Sequence, residues 1–515
     1  MPKFSRTAKS IKNAKVALFF YVINLILQFF SRKIFLEYLG AEVLGLNTTA
    51  QNLLGFLNIA ELGISSAISY TLYQPLFKED RQSINEIVSI QGWLYRKIAL
   101  IVIIGACVLM FFFPLIFAKM ELPIWYAYSS FLVLLVSVLL GYFINYRQIV
   151  LVADQKEYQV TFCVQGGKCL KVILQIAAIA LMINGYIYWL VIELLMAFVI
   201  AALLHRSVRK EYVWLDTNPL QGKYLKNKYP GIIKKTKQLF IHKIAAFVLS
   251  QTSPLIIYAY TSLGLVAIYG NYMLIVSGVV LFINSIFNSI SAGVGSLIAE
   301  GNKSKIKSFY WQYFIFRYWI TSVSCFGVLT QSSSFIKLWV GEEYILPPFP
   351  FILLVVYTFI VSSRINDLFI VAYGMYQDIW AAVLESILNI GCSIVFGYYW
   401  GLKGIISGVV LSLFVVVLCW KPYFLFKIGF KDSLKEYWIG FARCLGLIAL
   451  SLACSLYILR LLPDVSDDSF LEWGVNCVLH LSVYIFISLS LFLLCEPYFR
   501  DFLFRLVRIV KADRF

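Results

Sequence analysis

Apolar runs of about 20 residues follow one another from one end of this chain to the other, each long enough to cross a hydrocarbon core of roughly 30 Å as a helix. No other feature constrains the fold as strongly. Lipid offers the backbone no hydrogen-bond partner, so a crossing segment must pair its amides internally. Of the 515 residues, 61% are hydrophobic and 14% charged, against roughly 25% charged in a soluble domain. The pattern predicts an all-α polytopic membrane protein with about fourteen transmembrane helices. They fall near 16–38, 43–73, 94–117, 125–147, 159–183, 187–205, 241–261, 265–298, 310–331, 347–371, 380–400, 404–426, 439–461 and 472–495.

The net charge of +17, from 44 Lys and Arg against 27 Asp and Glu, is explained by its placement. The N-terminus, the connections after even-numbered spans and the tail hold 33 of the cations, counting the ends of adjoining spans, while the connections after odd-numbered spans hold only Lys119, Lys337 and Lys403. That asymmetry predicts both termini in the cytoplasm. The basicity is therefore topological. Membrane lipid is the secondary partner it implies, and no nucleic-acid binding is expected. The ten cysteines lie within spans without metal-ligand spacing, and the three histidines are scattered. No catalytic or metal constellation emerges, so the chain does not read as an enzyme.

The longest polar connection, 206–240, separates an N-terminal lobe (1–205, spans one to six) from a C-terminal lobe (241–430, spans seven to twelve). Spans thirteen and fourteen (431–495) look appended, and the tail 496–515 reads as an amphipathic helix on the cytoplasmic leaflet. The lobes repeat each other weakly. Phe56, Asn58, Ile64 and Ser65 align with Phe282, Asn284, Ile290 and Ser291, and "FINYRQIVLVADQKEY" at 143–158 aligns with "RINDLFIVAYGMYQDI" at 364–379. Six spans per lobe makes the repeats parallel, about an axis along the membrane normal.

Span two poses the functional question, because "IAELGISSAI" at 59–68 places Glu61 deep in an apolar run. On one continuous helix, Asn47, Gln51, Asn58, Glu61, Ser65 and Ser69 share a stripe about 80° wide at roughly 100° per residue. Such a stripe faces a bundle interior or a water-filled cavity. Here that predicts a cavity between the lobes, lined also by Asn284 and Asn288 of span eight and Asn24, Gln28 and Arg32 of span one. Lys168 and Lys171 of span five and Arg364 of span ten are the other candidates for cargo contact. Cations outnumber acids within the spans, which suits an anionic cargo. Ion pairing with Glu61 or Glu385 is the alternative role for these cations, and interhelical hydrogen bonding is the alternative role for the stripe.

Several segments are familiar in combination. "IAELGISSAISYTLYQPLFKEDRQSINEI" resembles the span-two signature of polysaccharide-biosynthesis flippases, and "YRQIVLVADQKEY" resembles their segment after span four. "AIYGNYMLI", "FIKLWVGEEYILP" and "GLKGIISGVVLS" resemble segments of their second half. That family lies within the multidrug/oligosaccharidyl-lipid/polysaccharide exporter superfamily. The resemblance implies two six-helix lobes around a central cavity, with two added helices. It implies transfer of undecaprenyl-pyrophosphate-linked oligosaccharide units across the bacterial cytoplasmic membrane by alternating access, for O-antigen, capsule or exopolysaccharide assembly. A peptidoglycan-precursor flippase or a drug/cation antiporter of the same fold are the alternatives, and a membrane glycosyl polymerase is a more distant one. The resemblance implies no cofactor beyond H+ or Na+ as a coupling ion, and polysaccharide polymerase machinery as a partner. Relatives carry a cation where Arg32 stands. They often carry an acid where this chain has Ser253, in "SQTSPLI", which puts coupling through that position in doubt.

The topology is directly testable. Thiol labelling or reporter fusions should place 206–240 and the tail in the cytoplasm, and the acidic "PDVSDDSFLE" at 463–472 outside together with the stretch 332–346. An external 206–240 connection would overturn both the charge argument and the parallel repeat.

Overall fold

A computed structural model of the chain describes residues 3–61, 64–233, 236, 252–288, 294, 297–298, 301–373, 375, 379–462 and 468–512. It is predominantly helical over these residues and forms two compact units, Met1–Ala267 and Ile268–Phe515. Among the described residues, ten helical stretches are long and apolar enough to cross a membrane. The expected spans one, two, eleven and twelve fall in stretches that the helices run together. Span nine lies in a more polar helix, and most of span seven lies outside the described residues.

In the first unit, α1 (Lys3–Leu57) carries span one and the start of span two, turning at Gly40, where φ is +82°. L side chains avoid that region, so glycine permits the turn. A 3-10 turn at Asn58–Glu61 follows, and then α2 (Ile64–Lys78). Next come α3 (Arg81–Phe111), capped by the Asp80 carboxylate, and α4 (Trp125–Phe143). Beyond a 3-10 turn at Asn145–Gln148, α5 (Ile149–Ala153), α6 (Glu157–Leu181) and α7 (Gly185–Glu211) complete the unit. The α-helix of the expected continuous span two thus gives way to a 3-10 turn at Asn58–Glu61 before α2. Span four is likewise cut short at Phe143. Polar residues at both breaks, Asn58 with Glu61 and Asn145 with Gln148, supply hydrogen-bonding groups where the helical ladder stops.

The second unit repeats this order. It contains α8 (Leu263–Asn288), α9 (Lys303–Trp339), α10 (Pro348–Ser362) and the short α11 (Asn366–Ala372). The break between α10 and α11 falls where the sequence repeat aligns Asn366 with Asn145, which heads the turn after α4. After these, α12 (Ile379–Leu413) turns at Gly401, with φ +59°, and continues through π-helical turns at Phe414–Trp420 and Leu425–Phe430. The appended spans are α13 (Leu434–Leu461) and α14 (Phe470–Cys495), followed by the tail helix α15 (Pro497–Ala512). Because α9 runs to Trp339, the expected external stretch 332–346 is mostly helix.

Packing within each unit is aromatic. In the first, the Tyr186 ring stacks on Tyr126 at 4.5 Å and on Trp189 at 5.9 Å, with Phe35 edge-on to Trp189. In the second, Tyr310, Phe314, Tyr318, Phe426 and Tyr437 bury one continuous cluster. Such ring pairs contribute about 0.5–1.5 kcal/mol beyond their burial, useful where lipid removes the hydrophobic drive between helices. The tail belongs to this core at its start. Phe499 is fully buried and Phe502 is 5% exposed, packed on Phe316 and Trp319 of α9. So the beginning of the expected leaflet helix is docked on protein. Arg443 ion-pairs with the fully buried Glu496 beside it.

The "ADQKEY" segment acquires a physical reason. Gln155 adopts φ +58° in the turn between α5 and α6. Asn13 of α1 donates to its carbonyl and accepts from the Tyr158 amide. The Asp154 carboxylate accepts from Tyr212 and pairs with Lys156, which also pairs with Glu211. Burial opposes the charge on Lys156, yet the bonds to Asp154 and Glu211 hold its ammonium above the usual lysine range.

Two glycines close the α12 hairpin. A Cβ on Gly404 would sit 2.0 Å from the Phe396 carbonyl oxygen, and one on Gly408 would sit 2.4 Å from the Ser393 nitrogen. This is the small-residue contact by which membrane helices approach. Gly404→Leu and Gly408→Leu should each cost about 1–3 kcal/mol or more by overpacking, seen as a lower thermal midpoint in detergent. Gly391→Ala, with nothing within 4 Å of its Cβ position, should leave that midpoint unchanged or raise it. Equal effects at the three positions would sink the close-packing account.

Candidate functional site: a polar cavity at the break in span two

The break places side chains that a continuous helix would have spread along its length. Tyr95, projecting from α3, donates its hydroxyl to Glu61 Oε1 at 2.7 Å. Ser65, in the first turn of α2, lies 2.6 Å from the Tyr95 oxygen and 3.5 Å from the same carboxylate oxygen. Since the phenol has one proton and gives it to Glu61, Ser65 is the donor to Tyr95. One turn before Glu61, Asn58 Oδ1 accepts from Tyr142 at the end of α4, at 2.9 Å. The Tyr95 and Tyr142 rings meet edge-to-face at 5.3 Å.

These groups line a cavity of about 460 Å³ within the first unit, walled by the break, α2, α3, the end of α4 and α5. Its lining combines hydroxyls, amides and one carboxylate. Gln91 Oε1 and Gln148 Oε1 are buried and have no hydrogen-bond partner, and Glu61 adds a carboxylate that makes no ion pair among the described residues. A membrane cavity so lined is suited to water, a proton or a cation. Non-helical backbone at membrane depth is tolerated where it lines such a space.

The remaining sequence candidates separate into several environments. Within the expected stripe, Asn58, Glu61, Ser65 and Ser69 line the cavity. Asn47 does not: it is buried and accepts from Ser130 at 2.6 Å. Gln51 is exposed. The four members that line the cavity lie at or beyond the break, and the two that do not precede it on α1. The cavity beside Glu61 is lined by first-unit residues rather than by both lobes. Glu61's partners are hydroxyls, and Arg32, its expected cation, donates instead to the Ala267 carbonyl at 3.0 Å.

In span one, Asn24 donates to the Phe20 carbonyl and to Gln165 of α6, while Gln28 is exposed. Lys171 pairs with Glu193 at 2.7 Å, and Gln175 donates to the same carboxylate at 2.9 Å. Lys168, one turn earlier on α6, is exposed and has no ion-pair or hydrogen-bond partner among the described residues. Arg364 sits at the second-unit break, between Glu385 and Asp367 at 3.1 Å each. Lys421 completes that group, 3.3 Å from Asp367. Asn284 accepts from Arg317 at 3.0 Å, and the Asn288 side chain lies outside the described residues.

Sequence reasoning missed Tyr95, Tyr142 and Gln91 as cavity walls and Asp367 and Lys421 as partners. Gln91 was read as a connection because span three was started at 94, whereas α3 begins at Arg81. A tyrosine carries no charge to mark it. Asp367 was hidden inside a span drawn without its break.

No family model and no curated protein matches the chain. Solved structures do share its fold. An inward-facing multidrug resistance MATE family transporter of the MOP superfamily superposes with a TM-score of 0.61 at 13% identity, over 83% of this chain and 99% of that one. The lipid II flippase MurJ in an inward closed conformation superposes with a TM-score of 0.60 at 17% identity, over 94% of this chain and all of that one.

Glu61→Gln keeps an oxygen that can accept from Tyr95, so the protein should fold with an almost unchanged thermal midpoint. Tyr95→Phe removes the donor and should cost about 1 kcal/mol. Purification yield and thermal unfolding of both variants provide the check. Collapse of Glu61→Gln, rescued by removing a cation elsewhere, would show that Glu61 is held by an ion pair.

Proposed function

We propose that this protein is a flippase that moves a lipid-linked oligosaccharide, joined to its lipid through pyrophosphate, across the bacterial cytoplasmic membrane. The observation that carries the anionic-cargo reading is Lys168. It stands near the middle of a membrane-spanning helix, exposed and without a partner, whereas Lys171 one turn away is neutralised by Glu193. A cation left bare at that depth is costly unless it meets water or an anion. The fold, shared with a lipid II flippase and a multidrug transporter, supports transport as the activity. The sequence resemblance supports an oligosaccharide repeat unit for surface polysaccharide, with polymerase machinery as the downstream partner. Both termini lie in the cytoplasm on this reading.

Directional transport needs an energy source, because differential affinity alone only shifts an equilibrium. We assign that role to a proton or Na+ taken up at Glu61, whose cavity offers acceptors and no cation. The same cavity favours a second reading, a drug/cation antiporter, in which a cation is the cargo. A peptidoglycan-precursor flippase is the alternative among lipid-linked cargoes.

Deleting the gene and identifying what accumulates on the cytoplasmic face separates these readings. An oligosaccharide repeat unit on its lipid supports the proposal. Accumulated peptidoglycan precursor, or drug sensitivity with no lipid-linked intermediate, overturns it. Lys168→Ala should reduce export roughly tenfold or more at normal abundance, the scale of a lost charge-assisted contact of about 1.5–3 kcal/mol. Wild-type export would retire Lys168. Glu61→Gln should abolish the dependence of export on the ion gradient, and export that still follows the gradient would remove Glu61 from coupling.

A further inference from the structure

A second cavity of the first unit lies between α2 and the connector that follows α7, and it shares no lining residue with the Glu61 cavity. Its volume is about 460 Å³, within the range that small ligands occupy. One wall is the second half of α2. Tyr70 and Tyr73 stand three residues apart there, and so do Thr71 and Gln74, the spacing that makes neighbours on a helix surface. The other wall is Tyr229, Gly231 and Ile232 of the connector. That wall is anchored. Tyr229 donates its hydroxyl to Glu86 Oε2 of α3 at 2.7 Å, and Ile232 is 1% exposed.

The lining offers ring faces first. Tyr70 and Tyr73 are 61% and 54% exposed, their rings edge-to-face at 6.2 Å. Tyrosine is common at a membrane interface, but an anchoring residue needs no concavity beside it, and these two rim one. An aromatic face carries negative charge density and attracts weakly positive C–H groups, which are what the face of a sugar ring presents. Hydrogen-bonding groups stand beside the rings. The exposed Gln74 amide has no partner among the described residues, so it offers donors and an acceptor together. Thr71 gives its proton to the Ala67 carbonyl at 2.8 Å and keeps its oxygen as an acceptor.

Charge is absent from the lining among the described residues, although lysines crowd the connector. Lys228 pairs with Glu86 at 2.7 Å, and Lys226 lies over the Trp93 ring at 5.6 Å. An anion would find no counter-charge in this cavity, and an apolar occupant would leave the Gln74 amide unanswered. Room remains at the connector wall, where nothing lies within 4 Å of the position of a Cβ on Gly231.

We propose that this cavity is a subsite for neutral sugar rings, on the connector's side of the membrane. The inference deepens the flippase reading and rests on it for the cargo to which those sugars belong, but binding is measured without transport.

The test uses the full chain in lipid nanodiscs, with maltose, cellobiose, lactose and chitobiose as probes read by saturation-transfer NMR. At least one should receive saturation at its ring C–H protons and titrate to a Kd. Tyr73→Ala removes an exposed ring, and Gly231→Leu fills the cavity without displacing packed atoms. Each should weaken that Kd roughly tenfold or more, while Tyr73→Phe, which keeps the ring, should change it less than about threefold. Thermal midpoints should match the parent protein in all three variants, and inorganic pyrophosphate should not compete. If no probe binds, if Tyr73→Ala or Gly231→Leu leaves the affinity unchanged, or if pyrophosphate displaces the sugar, the proposal is overturned. None of these results bears on which lipid-linked intermediate accumulates after gene deletion, so the subsite and the flippase reading fail separately.

Discussion

Backbone amides that have left water must be paired. In a helix that crosses lipid the pairing is automatic, and the long apolar helices here need nothing else from their sequence. Wherever the chain stops being helical inside a span, the freed groups need polar neighbours or water. Three features lie together here: the 3-10 turns at Asn58–Glu61 and Asn145–Gln148, the tyrosine hydroxyls bonded to Glu61 and Asn58, and the cavity these side chains line. A continuous span two would carry Glu61 without a reason for a wet space beside it.

Charge within the spans follows a comparable rule. An ion taken from water must recover its solvation energy from partners, and breaking such a pair costs about 3–5 kcal/mol. Lys171 recovers it from Glu193, Arg443 from Glu496, and Arg364 with Lys421 from Asp367 and Glu385. These four cations are thereby structural in the state described, and the net cationic interior inferred from counting is smaller than the count suggests. Lys168 stands apart from this bookkeeping. Arg317 is a different case, 6% exposed and bonded to the Ser362 carbonyl and Asn284, neutral acceptors both.

The fold was legible because its signal is redundant. Apolar runs recur along the chain, and long helices occupy them. Gly40 and Gly401 mark two places where helices are joined across a sharp turn, each between two of the expected spans. The breaks were not legible. Asn58, Glu61, Asn145 and Asn366 are polar residues that also decorate intact membrane helices, and hydropathy averaged over a window cannot tell the two apart. The cavity was therefore found by its acid: Asn58, Glu61, Ser65 and Ser69 all line it, although the chain is not one continuous helix there. Pairings such as Lys171 with Glu193 join residues 22 apart across a hairpin, which helical periodicity along one span cannot see.

The repeat shows how one scaffold is put to two electrostatic uses. Asp80 caps α3 and Asn302 caps α9, each accepting from the amide three residues on. Counting from those caps, Tyr95 and Arg317 occupy the same place, and each reaches toward the aligned end of span two or span eight. In the first unit the tyrosine meets Glu61, while Asn58 is served separately by Tyr142. In the second, the arginine reaches Asn284, the counterpart of Asn58, and also the carbonyl of Ser362 at the end of α10. Glu61 aligns with Phe287, over whose ring the Arg317 guanidinium lies at 5.1 Å. Where the first unit puts a carboxylate and a phenol, the second puts an aromatic face and a cation. The first arrangement keeps a carboxylate beside a cavity, with a phenol as its hydrogen-bond donor. The second satisfies its charge within the protein, by a cation–π contact and two fixed acceptors. At the positions the sequence alignment matches, one unit thus pairs a carboxylate with a phenol, and the other pairs a cation with an aromatic face and neutral acceptors.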